Sequence, residues 1–372
     1  MTEPTVSPAE LSQMAKTVLG TTLGLKRGQT VLIEAWTNSL TYAEAFQAEA
    51  RKMGLKPLVL YDSEDAYWRA VEAGQARSIG EPPRAEWDAL KAADGYVYFW
   101  GPADRERFEA LPEKVQGQLT AYNGRWYELT AKAGVPAVRM TLAQATPDEA
   151  SALGADLGAW RAELVAGGAA DPKKMKALGR RLAARLRLGG TLRIVHPNGT
   201  DLTLRLPKGR TVTVDDGIID DADLKQKNNV GNVPAGLVVA TVDEGFADGS
   251  IVASRTARFA RGRKTVEGLR WTFSRGRLVS RTTNGDSQEY ERYFAKGPPG
   301  KDRPSLFTIG LNPALSDAPS FEDQALGIVS VYVGGNAFYG GKSKTPFQAY
   351  LMLQGADVEL DGKPLLKAGA PV

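Results

Sequence analysis

The spacing of apolar and polar positions changes near the middle of the chain. Up to about residue 188, short apolar runs alternate with stretches of helical period. "SPAELSQMAKTVLGTTLGL" opens with Ser7, Pro8 and Glu10 placed as N-cap, N1 and N3 of a capping box. "TVLIEAW" follows as a strand, "LTYAEAFQAEARKMG" as a helix closed by Gly54, and "KPLVLY" as a second buried strand. The rhythm continues through "EWDALKAAD", "GYVYFWG", a helical stretch from Arg105 to Lys132, and "VPAVRMTL". Short strands separated by helices predict a doubly wound, mostly parallel α/β domain. From Asp148 to Leu188 the pattern is helical, with Met175, Leu178, Leu182 and Leu186 on one stripe and Lys and Arg opposite. This reads as an amphipathic helix bridging two domains with a solvated basic face, rather than as a nucleic-acid-binding helix. Gly189 and Gly190 end it and mark a domain boundary, giving an α/β domain over 1–188 and a second domain over 189–372.

Beyond that boundary the period becomes two. "GTLRIVHPNGTDLTLRL" alternates around the hairpin signal Asn198-Gly199, and "ADVELDGKPLL" turns at Asp361-Gly362. "SIVASRTARFARGR" and "TVEGLRWTFSRGRLVSRTT" alternate Arg with apolar residues, as an antiparallel sheet with one wet face does. Only "GDSQEYERYFAKG" reads as a clear helix, so the second domain is β-rich with α+β character.

Composition narrows the chemistry. The 372 residues include one histidine, His196, and no cysteine. That excludes a disulfide framework, a thiolate nucleophile and a zinc-finger-type site. A Ser-His-Asp set would have to be built on His196, which precedes Pro197 beside a turn and reads as structural. The net charge of +4 is too small for this length to argue for nucleic-acid binding, and none is expected. The first residues lack a basic start and an apolar core, and no run approaches a membrane span, so a cytoplasmic protein without membrane contact is expected. "EAWTNSL" stands where a dinucleotide-binding GxGxxG would follow the first strand.

Three loops carry candidate chemistry. "TVDDGIIDDADL" gathers Asp215, Asp216, Asp220, Asp221 and Asp223, oxygen donors of the kind calcium or magnesium uses, without EF-hand spacing. Asp243 and Glu244 are two carboxylates in a turn-rich segment, the minimum for acid/base work beside a pocket. "GGNAFYGGKSK" offers backbone N–H groups to an anion, with Lys342 and Lys344 adding charge, or is a lid or plain connection. Ser343 next to Lys344 points to the opposite face on an extended segment, which argues against a Ser-Lys nucleophile.

The pieces "GTDLTLRL", "NVPAGLVVATVDEGFADGSIV", "LFTIGLNPAL", "ALGIVSVYVGGNAFYGG" and "ADVELDGKPLL" stand in an order and spacing that resembles the aminopeptidase T and aminopeptidase S family. The resemblance runs over nearly the whole chain. It implies an N-terminal doubly wound α/β domain, a C-terminal β-rich domain, a homodimer, and a peptidase using two divalent metals such as zinc or cobalt. The family's ligands sit inside these pieces, but here the matching positions are Leu237, Leu306 (with Phe307 next to it), Ser330, and Phe347 with Ala349, the last pair given to within a residue of register. Only a tyrosine is matched, as Tyr339. Metal sites need imidazole, thiolate or carboxylate donors, so no metal or other cofactor is expected. The expectation is an aminopeptidase homologue without metal-dependent peptidase activity that binds a small organic or peptide ligand or a partner. Asp243, Glu244 and Tyr339 would be the polar groups of its remodelled pocket. The alternatives are an active leucyl-type metalloaminopeptidase with ligands elsewhere, or an enzyme with metal-free chemistry.

Overall fold

The computed structural model describes residues 6–81, 83–254, 257–259, 264–316, 319 and 321–372. The chain divides into two compact units, one of residues 1–172 and 217–235, the other of 173–216 and 236–372. Each is built around its own sheets.

The first unit follows the helical and strand periods of its sequence. The helix Pro8–Thr17 starts on the expected capping box, with the Ser7 hydroxyl accepting from the Glu10 N–H and the Glu10 carboxylate accepting from the Ser7 N–H. β1 (Thr30–Trp36), β2 (Lys56–Asp62), β3 (Gly95–Phe99) and β4 (Ala137–Met140) pair in parallel. The chain next forms β5 (Gly190–His196), β6 (Thr200–Leu206) and β7 (Val212–Asp215) of the second unit. It then returns to the first as β8 (Val230–Val233), parallel to β4. The sheet order is β2-β1-β3-β4-β8, the doubly wound parallel arrangement expected.

Three expectations change here. β2 is an edge strand rather than a buried one: it pairs only with β1, and Leu58 and Tyr61 are 47% and 51% exposed. The helical stretch from Arg105 breaks at Leu111-Pro112 into helices Arg105–Ala110 and Glu113–Ala133, since Pro112 has no N–H to continue the first. The division between units falls at Pro172 rather than Gly189. The helix Pro172–Leu186 belongs with the second unit because its buried stripe lies on that unit's core: a Cβ on Gly179 would meet Val214 at 2.5 Å and Leu311 at 3.0 Å.

The second unit is antiparallel. β9 (Leu237–Thr241) and β10 (Ala247–Val252) precede the short pair β11 (Ala257–Phe259) and β12 (Lys264–Val266). β13 (Arg270–Ser274) and β14 (Arg277–Thr282) form a hairpin, followed by the helix Gln288–Ala295. Next come β15 (Pro304–Gly310), β16 (Val329–Gly334), β17 (Gln348–Leu353), β18 (Asp357–Leu360), β19 (Lys363–Lys367) and β20 (Ala370–Pro371). They assemble an eight-stranded sheet, β14-β13-β10-β6-β5-β18-β19-β20, and a five-stranded one, β17-β16-β15-β9-β7. The Asn198-Gly199 and Asp361-Gly362 hairpins form as expected. Of the Arg-rich stretch, Arg255, Arg261 and Arg263 lie outside the described residues. Among the described residues, no helix is long and apolar enough to cross a membrane.

Candidate functional site

The five-stranded sheet of the second unit has two different faces. Antiparallel partners point to the same side, so the register sorts every side chain. One face is apolar: Val238, Ala240, Phe307, Ile309, Val329, Val331, Val333, Leu351 and Leu353. The other carries Asp215 and Leu237 in one row, Thr213, Val239, Thr308, Ser330 and Met352 in the next, and Thr241, Leu306, Tyr332 and Tyr350 in a third.

Three of the positions singled out from sequence, Leu237, Leu306 and Ser330, therefore share this mixed face. Ala349 does not, because it pairs with Val333 on the apolar side. Phe347 lies at the end of β17, packed on Phe294 and Tyr293 with ring centroids 5.2 and 5.6 Å away. The residues of β17 that share the face with Ser330 and Tyr332 are Gln348, Tyr350 and Met352, one register step from the pair read from sequence.

Residues not foreseen complete the site. The short helix Glu322–Gln324 brings Asp323 to the Tyr332 hydroxyl, which donates to it at 3.0 Å, and Tyr332 stacks on Tyr350 with centroids 4.9 Å apart. Arg258 on β11 donates through Nε to Glu322 at 3.0 Å. Burial pushes the Asp323 carboxyl above its ordinary range, against the pull of the Tyr332 hydroxyl and backbone N–H groups. Burial likewise raises Glu322 in spite of Arg258. Tyr339 is raised by burial and then by the charges of Asp215 and Asp323, so the one tyrosine matched from sequence feels both carboxylates. For Tyr332 the signal was the two-residue period: a strand that places Ser330 on a face places Tyr332 there too.

Other candidates have structural duties. Glu244 receives both Arg210 Nη atoms at 3.0 and 2.7 Å, Asn336 Nδ2 at 2.9 Å and the Lys342 N–H at 2.9 Å. Burial alone would raise its carboxyl, but these donors hold it down to about 2. The glycine-rich loop is thereby fixed, and its N–H groups are spent: those of Gly335, Asn336, Ala337, Tyr339, Gly340 and Gly341 all bond within the segment up to Phe347. It is neither an open anion cradle nor an untethered lid, and at its apex Phe338 stands 90% exposed. Asp243 closes a turn on the Gly245 N–H. His196 Nδ1 accepts the Asn198 N–H at 3.1 Å, a structural role. The aspartate run is divided: Asp215 and Asp216 belong to the second unit, whereas Asp220 caps the helix Asp221–Lys225 in the first with Asp223 as its box partner.

A second polar cluster lies in the first unit. Glu34, 2% exposed on β1, accepts from the Tyr96 hydroxyl, and Tyr122 lies 3.2 Å from its other oxygen. Tyr122 also donates to Glu86 at 2.7 Å. A phenol has one proton, so Tyr122 can donate to only one of Glu34 and Glu86, and the other contact needs a proton on a carboxyl. Burial, then the charges of Glu86 and Asp62, push Glu34 well above the ordinary carboxylate range; burial also raises Glu86 and Asp62. No lysine or arginine pairs with any of the three among the described residues.

Comparison with family models and with curated proteins gives no match. Among solved structures, AmpT from Thermus thermophilus superposes with a TM-score of 0.66 at 19% identity, over 98% of this chain and 99% of that one. The 2,5-dihydroxypyridine dioxygenase from Pseudomonas putida KT2440 does so with a TM-score of 0.59 at 16% identity, over 99% and 98%. The chain has the aminopeptidase T-like fold. A fold shared by proteins with such different names leaves function to be argued from the site.

Proposed function

We propose that this chain is a metal-independent protein of the aminopeptidase T-like fold that binds a small organic ligand on the mixed face of its five-stranded sheet. The observation that carries this reading is the donor set. Leu237 and Leu306 are hydrocarbon, Ser330 is a neutral hydroxyl, and no group of three or more His, Asp or Glu side chains among the described residues is placed to hold a metal ion. Of the carboxylates at this face, Asp215 lies opposite Leu237, Glu322 is engaged by Arg258 and Asp323 by Tyr332, and the three do not come together as a ligand group. Two dications need several free carboxylates or imidazoles to offset their charge, and these residues do not fit them.

A second reading, acid/base chemistry without metal, is favoured by one contact: the raised Asp323 carboxyl and the Tyr332 hydroxyl at 3.0 Å form a pair that can hold and pass a proton. The homodimer and the cytoplasmic setting implied by the resemblance and the sequence stay part of the reading.

The test is release of N-terminal residues from short leucyl peptides by the purified chain supplied with zinc, cobalt or manganese. The expected rate equals the background from free metal. A rate far above that background, abolished by a chelator, would overturn the reading.

A further inference from the structure

Four buried polar atoms on or beside the mixed face have no hydrogen-bond partner. Thr308 and Ser330 stand opposite each other on β15 and β16, 1% and 0% exposed, and neither hydroxyl has a hydrogen-bond partner. Gln324, 8% exposed, has a buried side-chain oxygen with no donor, and Arg258 has a buried Nη1 with no acceptor. Each such group costs about 1–3 kcal/mol when left unpaired, so several in one region point to an occupant.

They belong to one place. The Gln324 backbone lies against Gly310, two residues from Thr308 on the same face: a Cβ on Gly310 would come within 2.7 Å of it. Asp323, next in sequence, is bonded to Tyr332, two residues from Ser330, and Arg258 is bonded to Glu322 beside it.

The kinds of atom left over identify the occupant. Arg258 offers a donor, Gln324 an acceptor, and the two hydroxyls offer both. The guanidinium charge of Arg258 is already answered by Glu322, so an anion finds no free positive charge there. A cation has no acceptor to give the Nη1 of Arg258, which needs one. A neutral molecule whose hydroxyls both give and accept satisfies all four. The stacked Tyr332 and Tyr350 rings, Leu306 and Met352 supply apolar surface for its C–H faces.

We infer that this face is a binding site for a neutral polyhydroxylated small molecule, of the sugar or polyol class, held by Thr308, Ser330, Gln324 and Arg258. The inference rests on the ligand-binding reading above and names the ligand class.

The experiment is calorimetry and ligand-observed NMR on the full chain with glucose, mannose, ribose and myo-inositol, beside charged counterparts gluconate and glucosamine. At least one neutral probe is expected to bind saturably and the charged ones more weakly. Ser330→Ala and Thr308→Val should each lower that affinity by about tenfold, while thermal midpoints stay level or rise because an unpaired buried hydroxyl has gone. Two variants are used so that one failure to fold leaves the other to decide. Saturable binding of only a charged probe, no binding of any neutral probe to folded protein, or unchanged affinity in the folded variants would overturn the inference. Each of those results leaves metal independence standing, whereas chelator-sensitive peptidase activity would remove it whatever the sugars do.

Discussion

Glu34→Gln flattens the pH dependence of the first unit's stability. In the native chain the Glu34 carboxyl keeps its proton, because burial and the neighbouring charges of Glu86 and Asp62 raise it well above 4.5. The unfolded chain releases that proton near the ordinary range. Between those two points the folded state binds more protons than the unfolded state, so stability falls as pH rises through that window. While the folded group stays protonated, each pH unit costs about 1.4 kcal/mol. Glutamine replaces the protonated carboxyl closely: its oxygen accepts from Tyr96, and its amide donates to Tyr122, which still donates to Glu86. Urea unfolding followed by tryptophan fluorescence at pH 5, 6, 7 and 8 reads the effect, since Trp87, Trp100 and Trp126 surround the cluster. The variant should gain on the native chain as pH rises from 5 toward 8, for as long as the folded Glu34 carboxyl stays protonated, and be close to level with it near pH 5. Parallel curves at all pH values would show that Glu34 is ionised in the fold.

Glu244→Ala has the opposite sign and acts in the second unit. It leaves Arg210 without its counter-charge in a largely buried position, and it leaves Asn336 Nδ2 and the Lys342 N–H without this acceptor. Removing one member of such a pair costs about 3 kcal/mol. The loop from Gly334 to Ser343 should then exchange its amide hydrogens faster, while β15 and β16 change little. The native chain should show the same loss on acidification. Its Glu244 carboxyl is held at about 2, below the unfolded value of 4.5, so the stabilisation is complete above pH 4.5 and lost as pH falls toward 2. Hydrogen exchange in the loop that is unchanged by the substitution would show that the internal turn, not Glu244, holds it.

Much of the fold is legible in the sequence because each unit obeys one period. The parallel strands of the first unit stand out as apolar runs between capped helices, and the Asn-Gly and Asp-Gly turns fix two hairpins of the second. The exposure of β2 is not legible in its sequence, because an apolar run does not say whether a strand has one neighbour or two. The candidate site was only partly legible. Leu237, Leu306 and Ser330 fall on one face as their pieces suggest, but register within β17 is set by pairing with β16, and that pairing puts Tyr350 rather than Ala349 beside Tyr332. Asp323 comes from a connection and Arg258 from another strand 64 residues from Glu322, contacts that no local pattern encodes. Glu34 is the one acid in "TVLIEAW", and nothing local marks it as part of a cluster, since Tyr122 lies 88 residues away.

The most direct test of metal independence is calorimetric titration of zinc, cobalt and manganese into the full chain after chelator treatment, with elemental analysis of the dialysed product. A face lined by Leu237, Leu306 and Ser330 predicts no saturable site and metal at background after dialysis. About two ions retained per chain would contradict it and show that the dimetal centre is built from residues other than these.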